Sequence, residues 1–500
     1  MTDFPILTSI IFLPLLGGLL TLATGGRPFW CRSLALSVTM MELGMVLSLA
    51  FAHLQYQAGP TGAWLLVEDY PWIPSLGVRY SLGLDGISFL LILLTAFINV
   101  LCVLISWRSV TTKIGAFHFY LLFLETGVMG LFLATDLLLF YLFWEVQIIP
   151  MFFLVGIWGH EKRVQAAVKF ALFTFCGSLL MLVALITLYL IHGAQTGVYT
   201  FAYAQLMQTH LSAAAQAWIY AAFLLAFAIK IPVIPFHTWL PDTHTHAPTA
   251  GSLDLAGLLL KAGFYALFRF GFPLFPEAAR GSIPVLIGLG LVGMFYASWV
   301  ALAQTDMKRL VAYSSIGHMG LMVVGLAVWN MMTLTGSILQ MINHGLSTTA
   351  LFIMVGMLDE RIHSRKFEDM GGLWSKIPVF SGFFLFFAMA SLGLPGLNNF
   401  VGEILVIIGT FQAKPIIGIL SFTGLVLAVV YILRMVQDAV CGQPRKNEVI
   451  ADLCFREGLI LAVLALPILF IGLHPGPVLR ILDQPVQHLL AQFSVLATGG

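Results

Sequence analysis

Charge is scarce in this sequence. Asp, Glu, Lys and Arg make up 9% of its 500 residues, where a soluble chain carries about 25%. That shortage excludes an ordinary soluble domain. Cysteine is scarce too: Cys31, Cys102, Cys176, Cys441 and Cys454 are scattered without paired spacing. The scatter argues against an iron–sulfur cluster, a zinc site or a disulfide framework. No phosphate-cradling loop of the Walker type occurs, and no Gly-rich dinucleotide fingerprint follows a strand. No strand-like domain is expected, and nothing large enough lies between the apolar runs to bind a dinucleotide. Any electron-transfer chemistry would have to happen on another chain. The net charge of +1 calls for neither an acidic nor a basic partner, so nucleic acid is not expected. The opening "MTDFP" lacks a positive n-region and a clear cleavage site, so the first apolar run reads as a retained helix.

What the chain has is apolar length. Hydrophobic residues make up 59% of it, in runs such as "SFLLILLTAFINVLCVLISW". A run of about 20 apolar residues spans the roughly 30 Å hydrocarbon core as a helix. Unbroken runs exclude an outer-membrane barrel, whose strands alternate. The fold class is all-α polytopic membrane protein, with about fourteen spans. Their approximate ranges are 3–23, 34–55, 87–107, 115–133, 136–157, 166–191, 216–236, 251–272, 282–303, 310–328, 333–357, 379–411, 416–437 and 457–474. The seventh carries Pro232 and Pro235, and the twelfth is overlong and interrupted by "SLGLPGLNN" around Pro395. Broken backbone is tolerated in a membrane only where protein or water satisfies it. The breaks lie five spans apart. Five is odd, so spans four to eight and nine to thirteen form two inverted repeats, a pattern that points to an ion site between them. The divisions are 1–114, 115–272, 273–440 and 441–500.

Loop charges give orientation. One set of alternate loops holds fifteen Lys and Arg, from Arg27 and Arg32 through Lys366 to Arg445, Lys446 and Arg456; the other holds four, Arg79, Arg280, Lys414 and Arg480. The first set faces the cytoplasm, which leaves both termini on the periplasmic side.

Ionisable residues inside spans cost roughly 2.5–3.5 kcal/mol each, so they are functional candidates. Glu145 lies mid-way along span five, and Lys230 lies two residues before the break in span seven. Pairing at close range would offset their desolvation. Lys261 lies in span eight, with Asp254 two helical turns earlier on the same face. His318 and His344 occupy successive spans of the second repeat, and Glu403 follows the break of span twelve. Glu125 is also intramembrane, with no obvious partner. Lys169, Arg269 and Arg434 sit near span ends, where snorkelling accounts for them. The run "PFHTWLPDTHTHAPTAG" holds His237, Asp242, His244 and His246 without a metal-ligand spacing. It reads as a proton-uptake region or a structural connection.

The stretches "KIPVIPFHTWLPDTHTHAPTAGSLDLAGLLLKAGFYALFRF", "ATDLLLFYLFWEVQIIPMF", "DMKRLVAYSSIGHMG" and "NNFVGE" resemble the antiporter-like proton-conducting family shared by respiratory complex I and multisubunit cation/proton antiporters. The resemblance covers essentially the whole chain. It implies fourteen helices, two inverted five-helix repeats and broken helices seven and twelve. It also implies proton-translocation roles for Glu145, Lys230, Lys261, His318, His344 and Glu403. Glu at position 403, and a tail too short for a long lateral helix, resemble the M-type branch of the family. The function implied is proton translocation in the bacterial inner membrane as part of NADH:quinone oxidoreductase. No cofactor is expected on this chain; FMN, iron–sulfur clusters and quinone fall to partner subunits. The partners implied are the lipid membrane and other complex I membrane subunits, antiporter-like paralogues on either side among them. The alternative is a subunit of a multisubunit cation/proton antiporter or of a membrane-bound hydrogenase complex.

Overall fold

A computed structural model describes residues 4–24, 26–53, 64–442 and 450–498. The last residues of the expected second span, Arg445 and Lys446 lie outside the described residues. Thirteen helical segments are long and apolar enough to cross a membrane. The broken pair α18 and α19, described below, completes the expected set.

The chain opens with α1 (Ile6–Thr24) and α2 (Pro28–His53). A hairpin follows, β1 (Leu66–Ile73) against β2 (Val78–Leu84), a two-stranded element within the all-α fold. Pro71 and Pro74 hide it, because they break the alternation by which a strand is read. The hairpin is stitched to the bundle. The Glu68 carboxylate accepts from Leu7 N at 2.7 Å and Thr8 N at 3.0 Å, satisfying free donors at the start of α1. Asp85 then caps α3 (Gly86–Ser109) in a reciprocal box with Ser88, both bonds at 2.8 Å.

α4 (Ile114–Leu133) leads to α5 (Leu137–Val146) and α6 (Ile148–Trp158), which together make one span. Asp136 caps α5 through Leu138 N and Leu139 N. The long α7 (Arg163–Thr196) and the short α8 (Tyr203–Leu206) precede α9 (Ala213–Lys230), which ends at the first break. α10 (Trp239–His246) resumes beyond it. The next span is α11 (Thr249–Asp254), a π turn at Leu255–Leu259, α12 (Leu260–Ala266), a second π turn at Leu267–Gly271, and α13 (Phe272–Leu274). This span is buried throughout, so it is the centre of the bundle.

α14 (Pro276–Leu302), α15 (Met307–Val328) and α16 (Met331–Ile362) follow. After the short α17 (Leu373–Lys376), α18 (Pro378–Ser391) stops and α19 (Asn398–Ala413) restarts, forming the second break. α20 (Pro415–Val440) and α21 (Phe455–Leu473) are the last spans. The tail is also a helix, α22 (Gly476–Thr498), 23 residues long. Val478, Leu482, Val486, Leu489 and Phe493 recur every three or four residues and are buried against the bundle. Its other face is polar, so span-length hydropathy does not detect it. Large apolar side chains stay exposed along α1, α7, α14, α20 and α21, as surfaces meeting lipid or other subunits require.

Candidate functional site: a buried polar row

α9 ends at Lys230 because Pro232 and Pro235 cannot continue its hydrogen-bond ladder. The freed carbonyl of Ile229 accepts from Trp239 Nε1 at 2.9 Å. Lys230 is 2% exposed. Its ammonium donates to Gln147 Oε1 at 3.1 Å and lies 4.6 Å from the Trp144 ring. A Cβ on Gly263 would stand 3.0 Å from Lys230 Cβ, so glycine is what lets α12 approach the break. The Glu145 carboxyl lies beside Ser178 and Tyr141 and makes no direct ion pair with Lys230. The two charges feel each other across a gap, where the sequence suggested a closed pair.

Lys261 is fully buried. Its ammonium bonds Ala256 O, inside the first π turn, and His344 Nδ1 at 2.8 Å. π turns free backbone carbonyls and recur at functional sites. The same turn separates two residues expected on one face. Asp254 meets Cys102 of α3 at 3.5 Å, while Lys261 faces His344 of α16.

The row continues into the second break. The His344 and His318 rings are 5.5 Å apart. His318 Nδ1 is 2.8 Å from Ser314 O, and Nε2 is 3.2 Å from Ser391 O and 3.5 Å from Glu403 Oε1. Both ring nitrogens face oxygen atoms. Gln340 Nε2 donates to Glu403 Oε1 at 3.2 Å. Gly393, at φ +76°, gives the Glu403 carboxyl room: a Cβ there would be 2.2 Å from Oε2. Asn398 and Asn343 exchange bonds with each other's backbone at 2.8 and 3.0 Å, and Asn399 bonds Ser347. These amides fasten the restart of the helix to α16.

The His-rich run forms α10 and its approaches. Asp242 pairs with Lys169 at 2.6 Å and Arg309 at 3.8 Å. His244 is fully buried, stacks 4.6 Å from Phe352, and has no hydrogen-bond partner on either nitrogen among the described residues. Among the described residues no group of three His, Cys, Asp or Glu could hold a metal ion. A cleft of about 330 Å³ opens beside this run, lined by Lys162, Lys169, Asp242, His246 and Arg309. Lys308 Nζ donates to Ala247 O at 2.6 Å close by.

Arg434 is exposed and pairs with Asp438 at 3.5 Å. Arg269 departs from the snorkelling expected of it. It is 4% exposed and ion-paired with Asp85, over the Trp64 and Tyr265 rings. Gln147, Trp144, Gln340, Asn343 and Gly393 were not singled out in the sequence, since neutral residues carry no cost signal there. Glu42, fully buried in α2, did carry that signal and was missed.

The family described as NADH:quinone oxidoreductase/Mrp antiporter, TM, matches residues 134–428. NADH-quinone oxidoreductase subunit M of Pseudomonas aeruginosa is 44% identical, over 95% of this chain and 96% of its own length. The same subunit of Escherichia coli K12 is 41% identical over 94% of each chain. A chain of respiratory complex I from Thermus thermophilus with bound NADH superposes with TM-score 0.88 at 31% identity, over 97% of this chain and 99% of that one. The chain belongs to the subunit M family of NADH-quinone oxidoreductase, within the wider NADH:quinone oxidoreductase/Mrp antiporter membrane family.

Proposed function

We propose that this chain translocates protons as a membrane subunit of NADH:quinone oxidoreductase, along the row Glu145, Lys230, Lys261, His344, His318 and Glu403. The observation that carries the row is its second half. Lys261, His344, His318 and Glu403 follow one another through a 2.8 Å contact, a 5.5 Å ring separation and a 3.5 Å contact. A buried base cannot be isolated in hydrocarbon without a large penalty, and these groups relieve that penalty for one another. Each break supplies freed carbonyls, taken by Trp239 at one and by His318 and Asn399 at the other.

The two halves divide as 115–272 and 273–440 and are inverted repeats. The acid and the base exchange places between them: α5 carries Glu145 and α9 Lys230, whereas α15 carries His318 and α19 Glu403. An amide side chain steadies the group at each break, Gln147 for Lys230 and Gln340 for Glu403. Protons are taken up through the cleft by Asp242 and His246, on the cytoplasmic side given by the loop charges. Closing the gap between Glu145 and Lys230 draws that positive charge toward Glu145 and changes the proton affinity of Lys261. The proton then leaves by His344, His318 and Glu403. Redox energy comes from partner subunits that hold FMN, iron–sulfur clusters and quinone, and antiporter-like subunits flank this one in the inner membrane.

Glu145→Gln keeps the shape and removes the charge that moves Lys230. Assembled variant complex in sealed vesicles should oxidise NADH with proton pumping nearly abolished. Pumping at the parent rate would overturn the assignment.

A further inference from the structure

Four titratable side chains outside the row converge from four separate elements. Glu42 of α2, Cys102 of α3, Glu125 of α4 and Asp254 of α11 each have no exposed surface. Glu42 is directed at Glu125, and Asp254 lies within electrostatic reach of Glu125. Cys102 Sγ meets Asp254 Oδ1 at 3.5 Å. Among the described residues, the Glu42 and Glu125 carboxyls meet each other and no other hydrogen-bonding group, and Asp254 Oδ2 has no partner. None of the three carboxyls forms an ion pair with a cation among the described residues. Three unpaired carboxylates in hydrocarbon would repel one another by several kcal/mol and pay desolvation besides. Packing alone would be better served by apolar residues of the same size. Protons shared among the oxygens remove both costs and give the unpartnered lone pairs a donor.

Two further features place this cluster beside the row. Asp254 immediately precedes the π turn Leu255–Leu259, and the carbonyl of Ala256 in that turn accepts from Lys261. On the other side, His118 lies two turns before Glu125 on the same face of α4. It is fully buried, and its Nε2 has no hydrogen-bond partner among the described residues. α4 begins at an open cleft of about 340 Å³ lined by Thr111, Lys113 and Ile114.

We infer that Glu42, Glu125 and Asp254 form a proton-holding site that feeds Lys261 from the side of α2–α4, a lateral branch of the row. The inference rests on the proton-translocating reading above. The Glu125 acid gives its proton to the Asp254 carboxylate and becomes the anion. A proton arriving from the His118 side restores it. Asp254 passes its proton on toward Lys261 through water at the π turn.

The test uses Glu42→Gln and Glu125→Gln in the assembled complex, each close to isosteric. Infrared spectra of parent and variants, taken in water and in heavy water, should lose protonated-carboxyl absorption in each variant. Proton pumping per NADH oxidised should fall severalfold. Superimposable spectra would overturn proton storage, and parent-level pumping in both variants would overturn the branch. Glu145→Gln is measured alongside. If it abolishes pumping while Glu42→Gln and Glu125→Gln pump normally, the row stands and the branch falls. Glu125→Asp keeps the acid and should pump. If it assembles and fails like Glu125→Gln, the role of Glu125 is structural and the branch is overturned.

Discussion

At the scale of residues, the row depends on fit as much as on charge. Lys261 places one ammonium between Ala256 O and His344 Nδ1 with no exposed surface around it. A guanidinium is planar and larger, so Lys261→Arg should lose pumping although the charge is kept. Vesicles of assembled variant that pump at the parent rate would show that charge alone suffices. Gly393 makes the same point from the backbone. Gly393→Ala meets a φ of +76° and a 2.2 Å clash with the Glu403 carboxyl. Strain of about 1–3 kcal/mol is expected, with Glu403 pushed off His318 and coupled pumping reduced while NADH oxidation continues. The ionisable members of the row were legible because a charge in an apolar run has few innocent explanations. Gln147, Gln340 and Asn343 were not, because a neutral amide is cheap enough in sequence to pass unnoticed. Only the fold shows that each holds a group beside a break.

At the scale of elements, spans and breaks were readable, since apolar length and proline act locally. The hairpin and α22 were not. Their burial depends on a neighbour: the hairpin on the exposed donors of α1, and α22 on the side of α3 and α16. The register of α11 and α12 was misread for a related reason. Heptad arithmetic assumes an α-helix, and a π turn intervenes. Arg269 and Asp85 join the second π turn to the cap of α3. Arg269→Met would leave Asp85 buried without its cation, a loss of about 3–5 kcal/mol. Detergent-solubilised complex carrying it should dissociate or unfold at a lower temperature than the parent. An unchanged transition would mean that the pair adds nothing net.

At the scale of the whole molecule, the central spans are sealed and the flanking ones show apolar surface outward. The proposed orientation makes a prediction here. Lys366→Cys, in an exposed loop, should react with a membrane-impermeant thiol reagent only from the cytoplasmic face. Gln195→Cys, near the far end of α7, should react only from the other face. The reverse pattern would invert the topology and, with it, the assigned uptake side. Lys261 itself sits on a short length of helix, Leu260–Ala266, held between two π turns. Such a piece can pivot. If one extra residue passed from the first turn to the second, the intervening helix would swing by about 100°. Lys261 would leave His344, and the wire would be cut at its midpoint with both outer ends of the span unmoved.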